Sequence, residues 1–164
     1  MKWFLILTTF ATCSLFGDEV MGVFFSSEGA ISPKLVELID QEKESIHGAV
    51  YHFTDPKVAT ALIAAKKRGV KVELITHKGK LSKALDDMKK GGVEVSIGKL
   101  SNKRGLMHHK FLLFKNNKDN CSLVWTGSYN ITKSGSNSNF ENVVILKGES
   151  TFQKYWQEFT SIPK

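Results

Sequence analysis

Two polar side chains at alternate positions stand at the start of an apolar run in the second half of the chain. His108 and Lys110 lead into residues 111–114, which read Phe-Leu-Leu-Phe. Positions i and i+2 of a strand share a face, so these two side chains would project together and His109 would point away. A neutral imidazole can attack phosphorus while an ammonium group binds phosphate oxygens. The pair therefore predicts chemistry at a phosphate group.

Two later segments could complete an anion site. Ser128 and Asn130 share a face if the chain stays extended after Gly127, where a glycine allows close approach of neighbouring backbone. Their hydroxyl and amide groups could donate to phosphate oxygens. Glu141 is the best candidate to fix the tautomer of the histidine. A lone H-x-K pattern occurs often by chance, so the prediction rests on the combination.

The elements that must position these residues alternate between strands and helices. Apolar runs predict strands over 20–25, 45–53, 70–76, 93–97, 109–114, 122–126 and 139–146. Helical spacing predicts helices that begin at Ser32-Pro33 and at Asp55-Pro56, and two more over 81–90 and 152–159. The polar segment 115–120 predicts a hairpin loop. This order predicts a single α/β/α sandwich with a mixed, mostly parallel sheet.

The combination of motifs resembles the phospholipase D superfamily. Three motifs are similar to its signature of H-x-K-x4-D, then G-S-x-N, then E: His108-x-Lys110, Gly127-Ser128-x-Asn130 and Glu141. Three upstream segments look like parts of small bacterial Nuc-type endonucleases: 23–26, 49–56 and 61–70. The resemblance spans roughly residues 20–160. It implies a phospholipase D-like fold and a metal-independent phosphodiesterase that works without a cofactor.

The resemblance also implies how the reaction would proceed. Family members carry two such motifs per active site, whereas this chain has one, so the resemblance implies a homodimer in which two copies of His108 meet. One copy would attack and form a phosphohistidine, and the other would protonate the leaving oxygen and then activate water. The remaining catalytic residues it implies are Lys110, Ser128, Asn130 and Glu141, the first three of them as phosphate ligands.

Further histidines could contact a substrate or a metal. His52 and His77 stand at predicted strand ends and are candidate substrate-binding residues, whereas His47 is expected to be exposed on its strand. A zinc site of His77, His108 and His109 is possible on residue type. Neither a C-x-x-C nor an H-E-x-x-H motif supports it, so no metal ligand is predicted.

One position departs from the family signature. The family's Asp falls five residues after the motif lysine, where this chain has Lys115. Asp119, further along a longer hairpin loop, could compensate, although nothing in the sequence places it. Loss of a carboxylate that supports the site would weaken activity, but the other motif residues are intact and an active enzyme is still favoured.

Charge and composition point to a polyanionic partner. The chain has 164 residues, 41% hydrophobic and 24% charged, which is ordinary for one globular domain and excludes collagen-like and low-complexity classes. Its formal net charge is +7, and the segment 66–118 alone holds fifteen Lys and Arg against four acidic residues. Nucleic acid, bound through its phosphates, or an anionic membrane surface would suit this charge. Trp125 and Tyr129 could stack on bases, although Trp125 lies in an apolar strand and is better explained as core.

The N-terminal segment is expected to lie outside the fold. Met1-Lys2 is followed by an uncharged run to Gly17, which is typical of a secretory signal peptide and is short for a membrane span. We predict that residues 1–17 are a signal peptide or membrane anchor and that 18–164 form the phosphodiesterase domain. The protein would then be secreted or periplasmic, with membrane anchoring as a variant.

Three functions compete at this point. The first is a nuclease acting on DNA or RNA without sequence preference. The second is a phospholipase D-type hydrolase that uses the same residues on a phospholipid headgroup. The third is a catalytically weakened nucleic-acid-binding protein, with Lys115 marking a decayed site.

Overall fold

Strands and helices alternate through the part of the chain that the computed structural model describes, which is residues 17–78, 82–99 and 105–164. The strands are β1 (Glu19–Phe25), β2 (Ser45–Val50), β3 (Lys71–Thr76), β4 (Glu94–Ile97), β5 (Lys110–Phe114), β6 (Leu123–Gly127) and β7 (Asn142–Lys147). The helices are α1 (Ile31–Gln41), α2 (Pro56–Lys67), α3 (Lys83–Lys90), α4 (Lys133–Asn137) and α5 (Glu149–Ser161). The short helix α4 was not predicted.

One sheet holds these strands in the order β1-β7-β6-β5-β2-β3-β4. The predicted α/β/α fold class is confirmed, but the expectation of mostly parallel pairing is wrong. Only β2-β3 and β3-β4 pair in parallel, and the other four pairs are antiparallel. Parallel neighbours need a crossover connection, and only α2 and α3 supply one between adjacent strands.

The sheet separates two apolar layers. Residues of β5 alternate between them: Leu112 and Phe114 pack in the layer formed with α1, α2 and α3, whereas Phe111 and Leu113 pack in the layer formed with α5. This alternation is the period of two expected for a strand buried on both faces. It also sends successive side chains before β5 towards opposite faces, as predicted for His108 and His109.

Side-chain caps start three of the helices, α2, α3 and α4, whereas α1 and α5 begin without one. The Asp55 side chain caps α2 by accepting a hydrogen bond from the backbone nitrogen of Lys57 at 2.8 Å. The cap expected at Ser32 is wrong, because α1 already begins at Ile31. The Ser32 hydroxyl instead donates to the Asp55 carboxylate at 3.1 Å and ties the starts of the two helices together.

The predicted leader and its boundary remain predictions. Residues 1–16 lie outside the described part of the chain, and Gly17 is the first residue described. Among the helices in the described ranges, none is both long enough and apolar enough to cross a bilayer.

Candidate phosphodiesterase site

His108 and Lys110 meet at the start of β5. The Lys110 ammonium nitrogen lies 3.1 Å from His108 Nδ1 and 3.4 Å from Nε2, and it donates to the His108 carbonyl at 2.8 Å. Lys110 is half-buried and His108 is exposed. Within the described ranges, no carboxylate oxygen lies within 4.0 Å of this ammonium group. The two motif residues therefore form a cation and an imidazole side by side, open to an incoming anion.

The rings of Tyr51 and His77 lie behind this pair. The Tyr51 ring lies 4.4 Å from the His108 ring and 5.3 Å from the His77 ring, measured between centroids. The Lys110 ammonium nitrogen lies 5.3 Å from the centre of the same tyrosine ring. Tyr51 follows β2 directly, so the ends of β2, β3 and β5 converge here. The sequence reasoning missed Tyr51, although an aromatic residue directly after a buried strand was the available signal.

The charges in this cluster favour a neutral imidazole. Desolvation lowers the pKa of His108 below its ordinary value, and the charges of Lys110, His77 and His109 lower it further. Desolvation also lowers the pKa of Lys110, while the Glu141 carboxylate acts in the opposite direction. A histidine kept unprotonated beside a lysine is suited to attack an anion that the lysine holds.

Ser128 and Glu141 form the second part of the site. The Ser128 hydroxyl donates to the Glu141 carboxylate and accepts from the backbone nitrogen of Asn142 at 3.1 Å. The other Glu141 oxygen accepts from the Asn139 amide at 3.2 Å. Ser26, directly after β1, holds this segment by accepting from the Glu141 backbone nitrogen at 2.9 Å. Neither Glu141 oxygen lies within 4.0 Å of a His108 nitrogen within the described ranges, and the role of Glu141 in fixing the histidine tautomer stays a prediction.

Gly127 of the G-S-x-N motif lies where neighbouring backbone approaches closely, as expected. A Cβ atom added to Gly127 would lie 2.2 Å from the Asn142 carbonyl oxygen, so only glycine fits. Tyr129 is buried, whereas Ser128 and Asn130 are half-buried on the alternate side. The buried Asn130 Oδ1 has no hydrogen-bond partner within the described residues, and its role as a phosphate ligand stays a prediction.

The other histidines differ in their distance from the site. His77 joins the site through Tyr51, while His52 lies half-buried just beyond β2 and its role stays a prediction. The expectation that His47 is exposed is wrong, because its ring packs edge-on against Trp156 at 4.7 Å and Phe159 at 5.3 Å. Burial lowers the pKa of His47 to about 4. Within the described ranges, no three His, Cys, Asp or Glu side chains cluster as metal ligands.

Lys115 lies at the opposite end of β5 from the site. It lies five residue steps from Lys110, or about 16 Å along an extended strand. Its ammonium nitrogen pairs with the Glu149 carboxylate at 3.0 and 3.2 Å, and it lies 4.9 Å from the Phe152 ring centre. Asp119 is on the hairpin turn at that same far end. Lys115 and Asp119 therefore both lie away from His108 and Lys110, and an effect of the missing family acid on activity stays a prediction.

The groups at this site are those that chemistry at a phosphate ester requires. A half-buried lysine, an adjacent histidine with a lowered pKa and a serine-carboxylate pair on neighbouring strand ends suit the binding and displacement of a phosphate ester. The family model described as "Cardiolipin synthase, PLD-like domain" matches residues 35–162. The chain therefore belongs to the phospholipase D superfamily of phosphodiesterases.

Known relatives agree with this assignment. Phospholipase D of Rickettsia conorii is 29% identical over 138 residues, which are 82% of this chain and 65% of that protein. The crystal structure of Nuc, a phospholipase D family member from Salmonella typhimurium, is 28% identical, with a TM-score of 0.72 over 90% of this chain and 97% of Nuc. NucT from Helicobacter pylori shares the fold, with a TM-score of 0.71 over 88% of this chain and 95% of NucT at 21% identity. The chain spans about 65% of the length of the curated relatives it matches first.

Proposed function

We propose that this protein is a metal-independent nuclease that cleaves DNA or RNA through a covalent phosphohistidine at a homodimer interface. The observation that carries the proposal is the Lys110 ammonium group 3.1 Å from His108 Nδ1 with no described carboxylate in contact. A cation left unneutralised beside a nucleophile attracts a phosphate diester and holds it in reach of attack.

In the proposed reaction, a ring nitrogen of His108 forms a bond to phosphorus as the bond from phosphorus to the leaving oxygen breaks. The second copy's His108 gives its proton to that oxygen, which leaves as an alcohol. The same imidazole then takes a proton from water, whose oxygen attacks phosphorus and releases the first histidine. Lys110 and Ser128 would stabilise the charge on the phosphoryl oxygens throughout. One motif per chain makes the second copy necessary.

Charge supports nucleic acid as the substrate. The net charge of +7, with its excess in residues 66–118, suits a polyanion bound through phosphates without sequence reading. The resemblance to small bacterial Nuc-type endonucleases and the 28% identity to Nuc over almost all of that protein support the same substrate class. We further propose export of the protein, on the strength of the uncharged N-terminal run.

A phospholipid is the second candidate substrate. The Rickettsia conorii relative is named phospholipase D, and two exposed aromatic residues flank the segment that holds Glu141. Phe25 is 48% exposed and Phe140 is 96% exposed, so both could contact a lipid surface. A zwitterionic lipid makes less use of the basic excess than a nucleic acid does, and we therefore rank it second.

Binding of nucleic acid without turnover is the third candidate. Its basis was the lysine at position 115, and that residue lies at the far end of β5 in an ion pair with Glu149. The third candidate thus has no specific observation in its favour.

A substrate panel tests the proposal. Purified protein is given plasmid DNA, single-stranded DNA, RNA, and vesicles of phosphatidylcholine or cardiolipin, each with and without EDTA. We expect cleavage of nucleic acid that persists in EDTA and falls steeply as salt rises. Hydrolysis of vesicles alone would establish the second candidate, and complete loss of cleavage in EDTA would contradict a metal-independent reaction.

A further inference from the structure

A cavity beside the motif residues extends well past the space that one phosphate group fills. Its volume is about 740 Å³, and His108, Lys110 and Ser128 line one side. The opposite side is formed by α5, through Lys154, Tyr155 and Glu158. These α5 residues, called the α5 wall, take no part in the proposed reaction, so they are free to contact another part of the substrate.

Two rings in this cavity are held in fixed positions, that of Tyr155 on the α5 wall and that of His109 before β5. Tyr155 packs edge-on against Phe111 at 5.1 Å, and its hydroxyl donates to the Thr126 hydroxyl at 3.3 Å. The His109 ring contacts the same phenylalanine at 5.4 Å, and its Nε2 lies 2.9 Å from the Glu158 carboxylate. Both rings are only partly buried, so part of each remains open to the cavity. Rings fixed before a ligand arrives lose little entropy when a flat group stacks on them.

Charge on the α5 wall differs from charge on the motif side. Lys154 and Glu158 carry opposite charges, and His109 faces that same glutamate. This wall is close to neutral overall, whereas Lys110 on the motif side is an unpaired cation within the described ranges. A phosphate is therefore drawn to the motif side, and the α5 wall suits an uncharged, flat group attached to it.

We propose that Tyr155 and His109 form a base-stacking subsite that takes the nucleobase next to the scissile phosphate in single-stranded nucleic acid. Bases of any sequence present a flat face to an aromatic ring, so the subsite would add affinity without reading sequence. The wall offers a cationic headgroup such as choline no net charge to bind, because Lys154 and Glu158 offset each other. The inference deepens the proposed nuclease function and rests on it.

Binding of two oligomers tests the subsite. Affinity is measured by fluorescence anisotropy in the His108→Ala background, which removes turnover, for a single-stranded oligodeoxynucleotide and for an abasic oligomer of equal length. We expect the base-bearing oligomer to bind about tenfold more tightly. Tyr155→Leu should abolish this preference, and Tyr155→Phe, which keeps the ring, should retain it.

A second pair of variants guards against a folding defect in Tyr155→Leu. Glu158 is half exposed at the helix surface, so its variants should keep the native melting temperature. Glu158→Ala frees the His109 ring and should lower the base preference about threefold, while Glu158→Gln can still accept from the ring and should preserve it.

Each outcome separates the subsite from the reaction. Equal binding of both oligomers, or a preference that survives Tyr155→Leu in a folded protein, would overturn the subsite while leaving nuclease activity intact. Loss of the base preference in Tyr155→Leu would support the subsite. If the wild type also cleaved no nucleic acid, the subsite would stand and the proposed function would be overturned. Phosphocholine that binds through Tyr155 while the two oligomers bind equally would assign the wall to a lipid headgroup and overturn the inference.

Discussion

The two ends of β5 each carry a lysine, and the two lysines have opposite surroundings. Lys110 contacts an imidazole and a carbonyl, and its pKa is lowered by desolvation. Lys115 pairs with Glu149, whose carboxylate also accepts from the Ser122 hydroxyl at 2.8 Å. One lysine is left available for an anion from outside, and the other is neutralised within the chain.

Buried polar groups at the far end of β5 are only partly paired: the Glu42 carboxylate is hydrogen-bonded, whereas Asn116 Oδ1 and Asn117 Oδ1 have no partner within the described ranges. The buried Glu42 carboxylate accepts from the backbone nitrogens of Glu44, Ser45 and Asn116 at 2.9 to 3.0 Å. Asn117 adds a bond to the same carboxylate at 3.2 Å. At the motif end, His77 Nδ1 and Asn130 Oδ1 are buried without partners in the described ranges. Unpartnered buried groups therefore occur at both ends of β5, and the pairing of the two lysines is what distinguishes the ends.

Removal of the nucleophile should produce the largest effect. His108→Ala should lower kcat/KM for nucleic acid by about 10⁴-fold or more, because no other group at the site replaces an attacking nitrogen. The melting temperature should change little, since His108 is exposed. The control is His47→Met, at a histidine packed against Trp156 and Phe159. Activity retained in His108→Ala would show that His108 is not the nucleophile and that the motif end of β5 is not the site.

The two lysines give a matched pair of variants. Lys110→Ala should lower kcat by about 10²- to 10³-fold, the loss expected for one preorganised donor to the transition state. Lys115→Ala should leave kcat within about twofold and reduce the free energy of unfolding by at most about 1 kcal/mol, as for a partly exposed ion pair. Steady-state kinetics and urea unfolding measure both, and equal losses of activity would contradict the distinction.

Acid should destabilise the protein through a group away from the site. The folded chain keeps His47 neutral to about pH 4, while the unfolded chain takes up a proton below its ordinary pKa of 6.5. Stability is therefore fully present above pH 6.5 and falls as pH drops, by roughly 3 kcal/mol at pH 4. His47→Met should flatten this part of the pH dependence in urea unfolding and keep catalysis. An unchanged slope would show that other groups cause the acid loss.

The Ser128-Glu141 pair should have a smaller influence on rate. Glu141→Gln should lower kcat about tenfold, because the charged acceptor that orients the serine is lost. It also removes the carboxylate that raises the pKa of Lys110, so the alkaline limb of the pH-rate profile should move to lower pH. Glu28→Gln, a nearby exposed carboxylate, serves as control. A limb that stays in place would argue against control of Lys110 by Glu141.

The smallest effect is expected from restoring the family's acid. Lys115→Asp would put a carboxylate beside Glu149 and should lower the free energy of unfolding by about 1 kcal/mol through repulsion. Activity should not rise, since position 115 lies far from His108. An increase in turnover would instead revive a functional role for this position.

Local patterns predicted most of the fold. Apolar periodicity located every strand within a few residues, and the Asp55-Pro56 pair located the start of α2, because these signals are carried by adjacent residues. The strand pairing was mispredicted in part. Alternation of strands and helices in the sequence does not show which strands become neighbours. It therefore cannot distinguish a parallel pair joined by a helix from strands that pair antiparallel elsewhere in the sheet.

The site was predictable where it depends on strand alternation. His108, Lys110 and the opposed His109 follow from the period of two. Tyr51 reaches His108 only because β2 pairs with β5, a contact between distant segments that no local pattern contains. The same limit applies to the position of Lys115. Its distance from the site depends on the direction in which β5 runs away from His108 and Lys110.

Covalent labelling tests the central claim most directly. Wild-type protein is mixed with an oligonucleotide in EDTA and quenched early, and its peptides are analysed by mass spectrometry under conditions that preserve phosphohistidine. We predict a nucleotide or phosphoryl adduct on the peptide that contains His108, and its absence in His108→Ala. Rapid hydrolysis by the wild type with no adduct, together with undiminished hydrolysis by His108→Ala, would contradict the account.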